Sequence, residues 1–133
     1  MIKKIIMDLD NTLFDTKTSA VLAYDKFLKK YNYEIDSLML YKTLGKFDYS
    51  KESLFDYLKK ILNDFNIEKY NDFKKMYIEE VGLIDSKTKE TLAYLKEKYE
   101  LIVFSNWVYD LQYAILEKED LIKYFKHIFT SDK

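Results

Sequence analysis

The stretch Ile5-Ile6-Met7-Asp8-Leu9-Asp10-Asn11-Thr12-Leu13-Phe14-Asp15 decides the fold. Three apolar residues in a row, followed at once by a polar cluster, fit a strand of a parallel sheet buried on both faces. We place that strand over residues 2–9. Side chains two apart on an extended segment point the same way, so Asp8, Asp10 and Thr12 converge at its carboxyl end. Open α/β sheets hold their ligands there. Two carboxylates this close are comfortable together only beside a cation. Mg²⁺ suits them, being hard, oxygen-seeking and commonly held by one or two carboxylates plus a phosphate. One Asp, kept ionised by the metal, can then attack phosphorus, while the other holds a proton for the leaving oxygen. Taken alone, two Asp separated by one residue are also an ordinary turn or cap.

Helical periodicity follows. Ala20, Ala23, Tyr24, Phe27, Leu28 and Tyr31 form a stripe that predicts a helix over 16–31. A shorter helix is expected after Asp36. Leu54, Tyr57, Leu58, Ile61, Leu62 and Phe65 predict one over 50–65, with Ser50 as N-cap. Phe73, Tyr77 and Val81 predict another over 68–81, ending at Gly82 as a C-terminal cap. The pattern then changes: a helix over 87–98, a buried strand Leu101–Phe104 ending at Ser105-Asn106, helices over 109–118 and 120–126, and a short strand from His127 to Thr130. This alternation predicts an α/β fold with a parallel sheet, incomplete at three strands, and an all-helical insert. We divide the chain into an α/β core (1–15 and 85–133) and a helical block (16–84).

Composition narrows the classes. The 133 residues are 48% hydrophobic and 34% charged, as in ordinary globular domains. A net charge of −1 without a basic stripe argues against nucleic acid. No apolar run approaches a membrane span and no signal peptide is visible, so the expected location is cytoplasmic. With no Cys there is no disulfide and no thiolate metal site. All 22 basic residues are Lys, so no bidentate Arg clamp on a phosphate is available.

Asp8-Leu9-Asp10-Asn11-Thr12-Leu13 resembles the first signature of the haloacid dehalogenase-like (HAD) phosphohydrolases, an apolar strand followed by Asp-x-Asp-x-Thr. Ser105, at the end of Leu101-Ile102-Val103-Phe104 and followed by Asn106, is similar to the second. The helix leading into that strand (Glu90 to Lys96) and the stretch from Tyr124 to Asp132 are similar to the corresponding family regions. The helical block sits where a large subgroup of the family carries a cap.

The resemblance implies a Mg²⁺-dependent phosphatase acting on a small phosphorylated metabolite. Asp8 would form an aspartyl-phosphate, and Asp10 would protonate the leaving group and later activate water. The Asp8 carboxylate and the Asp10 backbone carbonyl would bind the metal. Thr12 would fix the Asp10 loop. Ser105 would bind a phosphoryl oxygen, aided by backbone N–H groups of Leu9 and Asn106. An acid at position 10 points to phosphoryl transfer, since the dehalogenases lack it. A Lys and an acidic pair that complete the family site have no counterpart, and Lys133 comes too early for the usual spacing. The core is therefore expected to lack its C-terminal part. Its first strand would be an open edge, so self-association through that edge is expected. The alternative reading is a catalytically incomplete relative serving as a binding or interaction module. A receiver domain is disfavoured by the insert after the first strand. Trp107 either lines the substrate pocket or simply packs. The tyrosines on helical stripes are read as core, and His127, Lys123 and Lys126 as structural or surface residues.

Overall fold

The computed structural model describes residues 3–82 and 84–133. Three parallel strands, β1 (Lys4–Met7), β2 (Glu100–Phe104) and β3 (His127–Phe129), form an open sheet in the order β1-β2-β3. Ile6 pairs with Ile102 across β1–β2, and Phe104 with Phe129 across β2–β3. Six helices accompany them: α1 (Thr16–Lys30), α2 (Ser37–Lys46), α3 (Leu54–Ile61), α4 (Ile67–Glu80), α5 (Ser86–Lys98) and α6 (Tyr109–Lys118). This is the α/β class that the alternating pattern predicts. Ile2, the first residue of the expected strand, and Leu83, inside the expected helical block, lie outside the described residues.

The helical block is held by aromatic packing. Ala20, Ala23, Tyr24, Phe27 and Leu28 form the buried stripe of α1, and Phe73 and Tyr77 that of α4. Tyr24 stacks on Phe73 with centroids 5.4 Å apart, and Phe27 meets Phe73 edge-on at 5.3 Å. Such pairs add to the stabilisation from buried area alone. Trp107, which follows β2, joins this block to the sheet, lying 5.2 Å from Tyr49 and 5.9 Å from Tyr77.

Gly82 takes φ +88° after α4, and a Cβ there would stand 2.1 Å from Ile115 Cγ2 of α6. The C-terminal cap is thus also a point of close backbone approach. Lys118 donates to the Val81 carbonyl at 2.7 Å and closes the same junction.

Three expectations need correction. The N-cap of α3 is Ser53, which accepts from the Asp56 N–H at 3.1 Å, whereas Ser50 is spent in a turn on Asp48. The helix expected over 120–126 shrinks to one 3₁₀ turn, Ile122–Tyr124. Asp120 adopts φ +58° and the Leu121 N–H reaches back to the Leu116 carbonyl at 2.7 Å, which terminates α6 and buries Leu121. Finally, the strands are not buried evenly on both faces: Ile102 is buried on the face it shares with Ile6 and Phe104, but its neighbours there are exposed among the described residues. Leu101 and Val103 are buried, but Ile6 (66% exposed), Phe104 (59%) and Phe129 (42%) lie open on the other face.

Candidate active site

The chain leaves β1 at Asp8 and enters a tight turn. The Leu9 carbonyl accepts from the N–H groups of Thr12, Leu13 and Phe14 at 3.2, 2.9 and 3.1 Å. Asn11 takes φ +58°, a conformation Asn tolerates better than most residues. Leu9 and Phe14 anchor the turn in the core. Asn11 Oδ1 accepts from the Lys17 N–H at 3.1 Å, which caps α1 where the Asp15 side chain does not. The Asn11 amide also donates to the Tyr41 hydroxyl at 3.2 Å and ties the turn to α2.

This turn, together with α1 and α6, fixes Asp10. Its Oδ1 accepts from the Thr16 hydroxyl and its Oδ2 from the Gln112 amide, both at 2.9 Å. Burial pushes its carboxyl up to about 6. The Thr16 bond pulls the other way, the Asp8 charge pushes further up, and the Gln112 bond offsets part of that. Asp8 is instead exposed, with Oδ1 accepting from the Leu9 N–H at 2.9 Å.

Ser105 ends β2 and is buried. Its Oγ accepts from Gln112 Nε2 at 2.9 Å and from the Trp107 N–H at 3.2 Å. With both acceptor positions used, the hydroxyl proton is left to donate. Asn106 follows on the surface, its carbonyl accepting from the Ser131 hydroxyl at 2.8 Å.

Asp8, Asp10 and Asn106 line one mouth, a cavity of about 270 Å³ between the sheet and the helical block, shared with Tyr41, Tyr77 and Trp107. Trp107 therefore both packs and lines the pocket. Asp8, Ser105 and Asn106 also border an adjoining hollow with Phe104 and Ser131. Thr12 stands apart: it is exposed, and the hydroxyl on Asp10 belongs to Thr16. The Leu9 N–H, expected to face a phosphoryl oxygen, is engaged by Asp8.

Gln112 is the residue that sequence reasoning passed over. It is fully buried on α6 among Leu111, Ile115 and Leu116, and bridges Asp10 to Ser105. A lone amide on an otherwise apolar helix face was the available signal, since a buried polar group demands partners.

The Asp8 carboxylate and the Asp10 main-chain carbonyl are hard oxygen donors of the kind Mg²⁺ takes. Among the described residues no group of three or more His, Cys, Asp or Glu comes together. No Lys lines either hollow among the described residues. Lys133 lies over the Tyr109 ring at 4.4 Å, and Lys123 and Lys126 pair with Asp120 and Glu100.

The chain thus combines an α/β fold with paired carboxylates just after its first strand and a serine just after its second. The family model for haloacid dehalogenase-like hydrolases matches residues 5–133, and the chain belongs to that family. Among solved structures, it resembles the magnesium-bound HAD hydrolase YfnB from Bacillus subtilis (19% identity, TM-score 0.70, covering 97% of this chain and 65% of that one). It is also similar to a HAD-superfamily hydrolase of subfamily IA from Geobacter sulfurreducens (18%, 0.59, 98% and 63%). A third is a predicted phosphoglycolate phosphatase from Haemophilus somnus (20%, 0.58, 98% and 63%). The chain spans under two thirds of the length of these structures. Among curated proteins none matches. No helix among the described residues is long and apolar enough to cross a membrane.

Proposed function

We propose that this chain carries the nucleophile and the acid–base group of a Mg²⁺-dependent phosphatase acting on a small phosphorylated metabolite. The observation that carries the reading is the contrast between two carboxylates in one mouth. Asp8 is exposed, and Asp10 is partly buried with its carboxyl at about 6 and both oxygens hydrogen-bonded. A group poised near neutral pH can give and take a proton, as general acid–base catalysis requires.

In this reading an Asp8 oxygen attacks phosphorus and the ester P–O bond breaks. The leaving oxygen takes the Asp10 proton. Water then attacks the aspartyl-phosphate, Asp10 accepts the water proton, and inorganic phosphate departs while the Asp8 carboxylate is restored. Ser105 donates to a phosphoryl oxygen, held in place by Gln112. Mg²⁺ held by Asp8 and the Asp10 carbonyl would supply charge neutralisation for the phosphoryl oxygens. The helical block acts as the cap over the substrate, with Tyr41, Tyr77 and Trp107 facing it and excluding water.

Phosphorylation of the chain itself is the direct test. An aryl phosphate with Mg²⁺ should leave an acid-stable, hydroxylamine-labile label on Asp8, visible in the intact mass. Asp8→Asn should abolish the label, and Asp10→Asn should slow its hydrolysis. A label that survives Asp8→Asn sinks the assignment.

A further inference from the structure

The two hollows at the mouth are lined differently. Asp8 and Asn106 border both, Ser105 borders only the adjoining hollow, and Asp10 only the cavity beside the helical block. A phosphoryl group held on Asp8 and Ser105 therefore has its leaving oxygen on the Asp10 side, and the rest of the ester extends into the cavity.

Three phenols of the helical block line that cavity: Tyr24, Tyr41 and Tyr77. Tyr24 and Tyr77 are only 3% and 2% exposed and stack with centroids 6.0 Å apart. Neither hydroxyl is sealed in the core, and neither makes a hydrogen bond of ordinary geometry among the described residues. The Trp107 indole N–H leans on the Tyr77 oxygen without reaching that geometry, and is otherwise buried without a partner. The Tyr41 oxygen accepts from the Asn11 amide at 3.2 Å, which leaves its proton free to donate. Burial above all raises the Tyr24 and Tyr77 phenols well above their ordinary value, so both keep their protons and stay neutral. Polar groups inside a protein ordinarily have partners, so unspent hydroxyls on a cavity wall call for a ligand that supplies them.

We propose that Tyr24 and Tyr77 hold the leaving group of the phosphate ester, and that this group is an uncharged polyol such as a sugar. A phenol oxygen both donates and accepts, as an alcohol hydroxyl does, so the two match in either direction. The rings of Tyr77 and Trp107 give the carbon skeleton apolar surface to lie on. The side chains that the helical block brings to the cavity, among them Thr16, Leu44 and the three phenols, are all uncharged. A carboxylate or second phosphate carried in among them would be stripped of water beside Asp10, a loss that neutral hydroxyls offset only in part. The direction of the ester rests on the phosphatase reading above, whereas the wall of free hydroxyls does not.

Trp107 is the only Trp, so its fluorescence reports the cavity. With Mg²⁺ present, glycerol 1-phosphate, ribose 5-phosphate and glucose 6-phosphate would be titrated beside inorganic phosphate and phosphoglycolate. At least one polyol phosphate should bind tenfold or more tightly than inorganic phosphate, and phosphoglycolate should not. Tyr24→Phe and Tyr77→Phe keep the stacked rings and remove only the hydroxyls. Each should cut the polyol preference at least threefold, with urea midpoints no lower than wild type. A panel without a tenfold preference, a preference untouched by both substitutions, or phosphoglycolate binding as tightly as the polyol phosphates overturns the proposal. So does a fall in the urea midpoints, which would give the hydroxyls a structural role. The label on Asp8 decides the phosphatase reading separately. Preferred polyol phosphates that never label Asp8 leave this subsite standing and count against that reading, and a labelled Asp8 without the preference does the reverse.

Discussion

Asp8 and Asp10 are two residues apart at the end of one strand, and their surroundings are opposite. The Asp10 carboxylate is held from two sides, by Thr16 of α1 and Gln112 of α6, and is partly buried. Asp8 stands at the rim with a single bond from the next backbone N–H. The strand alone does not separate them. Helices far apart in the chain do so by burying one carboxylate and leaving the other open. The contrast between the two carboxylates is thus a tertiary property imposed on a local motif.

The largest effect should come from removing the charge of Asp10. Its carboxyl sits at about 6 in the folded chain against an ordinary 3.8. The fold therefore favours the protonated form. That contribution is fully present below the ordinary value and is lost as pH rises through about 6. At pH 8 the ionised, partly buried group costs on the order of 2–3 kcal/mol. Asp10→Asn should be more stable than wild type by about that much at pH 8, and equal to it near pH 4. The new amide can donate to Gln112 Oε1, which is otherwise buried without a partner, once the Gln amide turns over. Urea titrations in EDTA at the two pH values measure this. A gain that is the same at both would remove the pH-dependent contrast between the carboxylates.

The two donors should not weigh equally. Thr16→Val keeps the shape but removes a hydrogen bond to a charged acceptor, a loss of about 1.5 kcal/mol at pH 8. Gln112→Leu also removes a donor, to Asp10 and to Ser105 together. It deletes the unpaired Oε1 as well, so its net cost should be smaller, about 1 kcal/mol or less. Both should push the Asp10 carboxyl further up, Thr16→Val more, which a carbon-13 titration of the side chain would follow. If Gln112→Leu proves the more damaging, the bridge to Ser105 matters more than the charge on Asp10.

Much of this was legible in the sequence. The apolar runs at Ile5–Met7 and Leu101–Phe104, the stripes of α1 and α4 and the stop at Gly82 come from periodicities that hold whatever the tertiary context. The motif at Asp8 and Asp10 and the serine at 105 could be read because each follows an apolar run in the order that the family signatures have. What escaped depends on distant partners. Thr12 and Thr16 both follow Asp10 at plausible spacing, and only the entry of α1 decides which hydroxyl arrives. Gln112 lies 102 residues from Asp10, and no local rule joins them. At α3 the signal was present: Ser53 followed by Asp56 is a better start than Ser50. The helix expected over 120–126 failed at Asp120, a non-glycine residue in the left-handed region that the pattern of apolar residues does not register.

The two faces of the sheet give the smallest predicted effect. An apolar run such as Ile5-Ile6-Met7 shows which side chains gain from cover, but not what covers them. Here one face packs on the protein's own helices and the other leaves Ile6, Phe104 and Phe129 open. Phe104 touches Phe129 at a centroid distance of 5.6 Å, and that pair is solvent-exposed on the single chain. Phe104→Ser should therefore change unfolding free energy by about 0.5 kcal/mol or less when the chain is dilute and monomeric. Chemical denaturation at low concentration reads this directly. A cost of several kcal/mol would mean that the open face is covered in solution and that Phe104 is core there. In that case the difference between the faces belongs to the isolated chain and not to its working state.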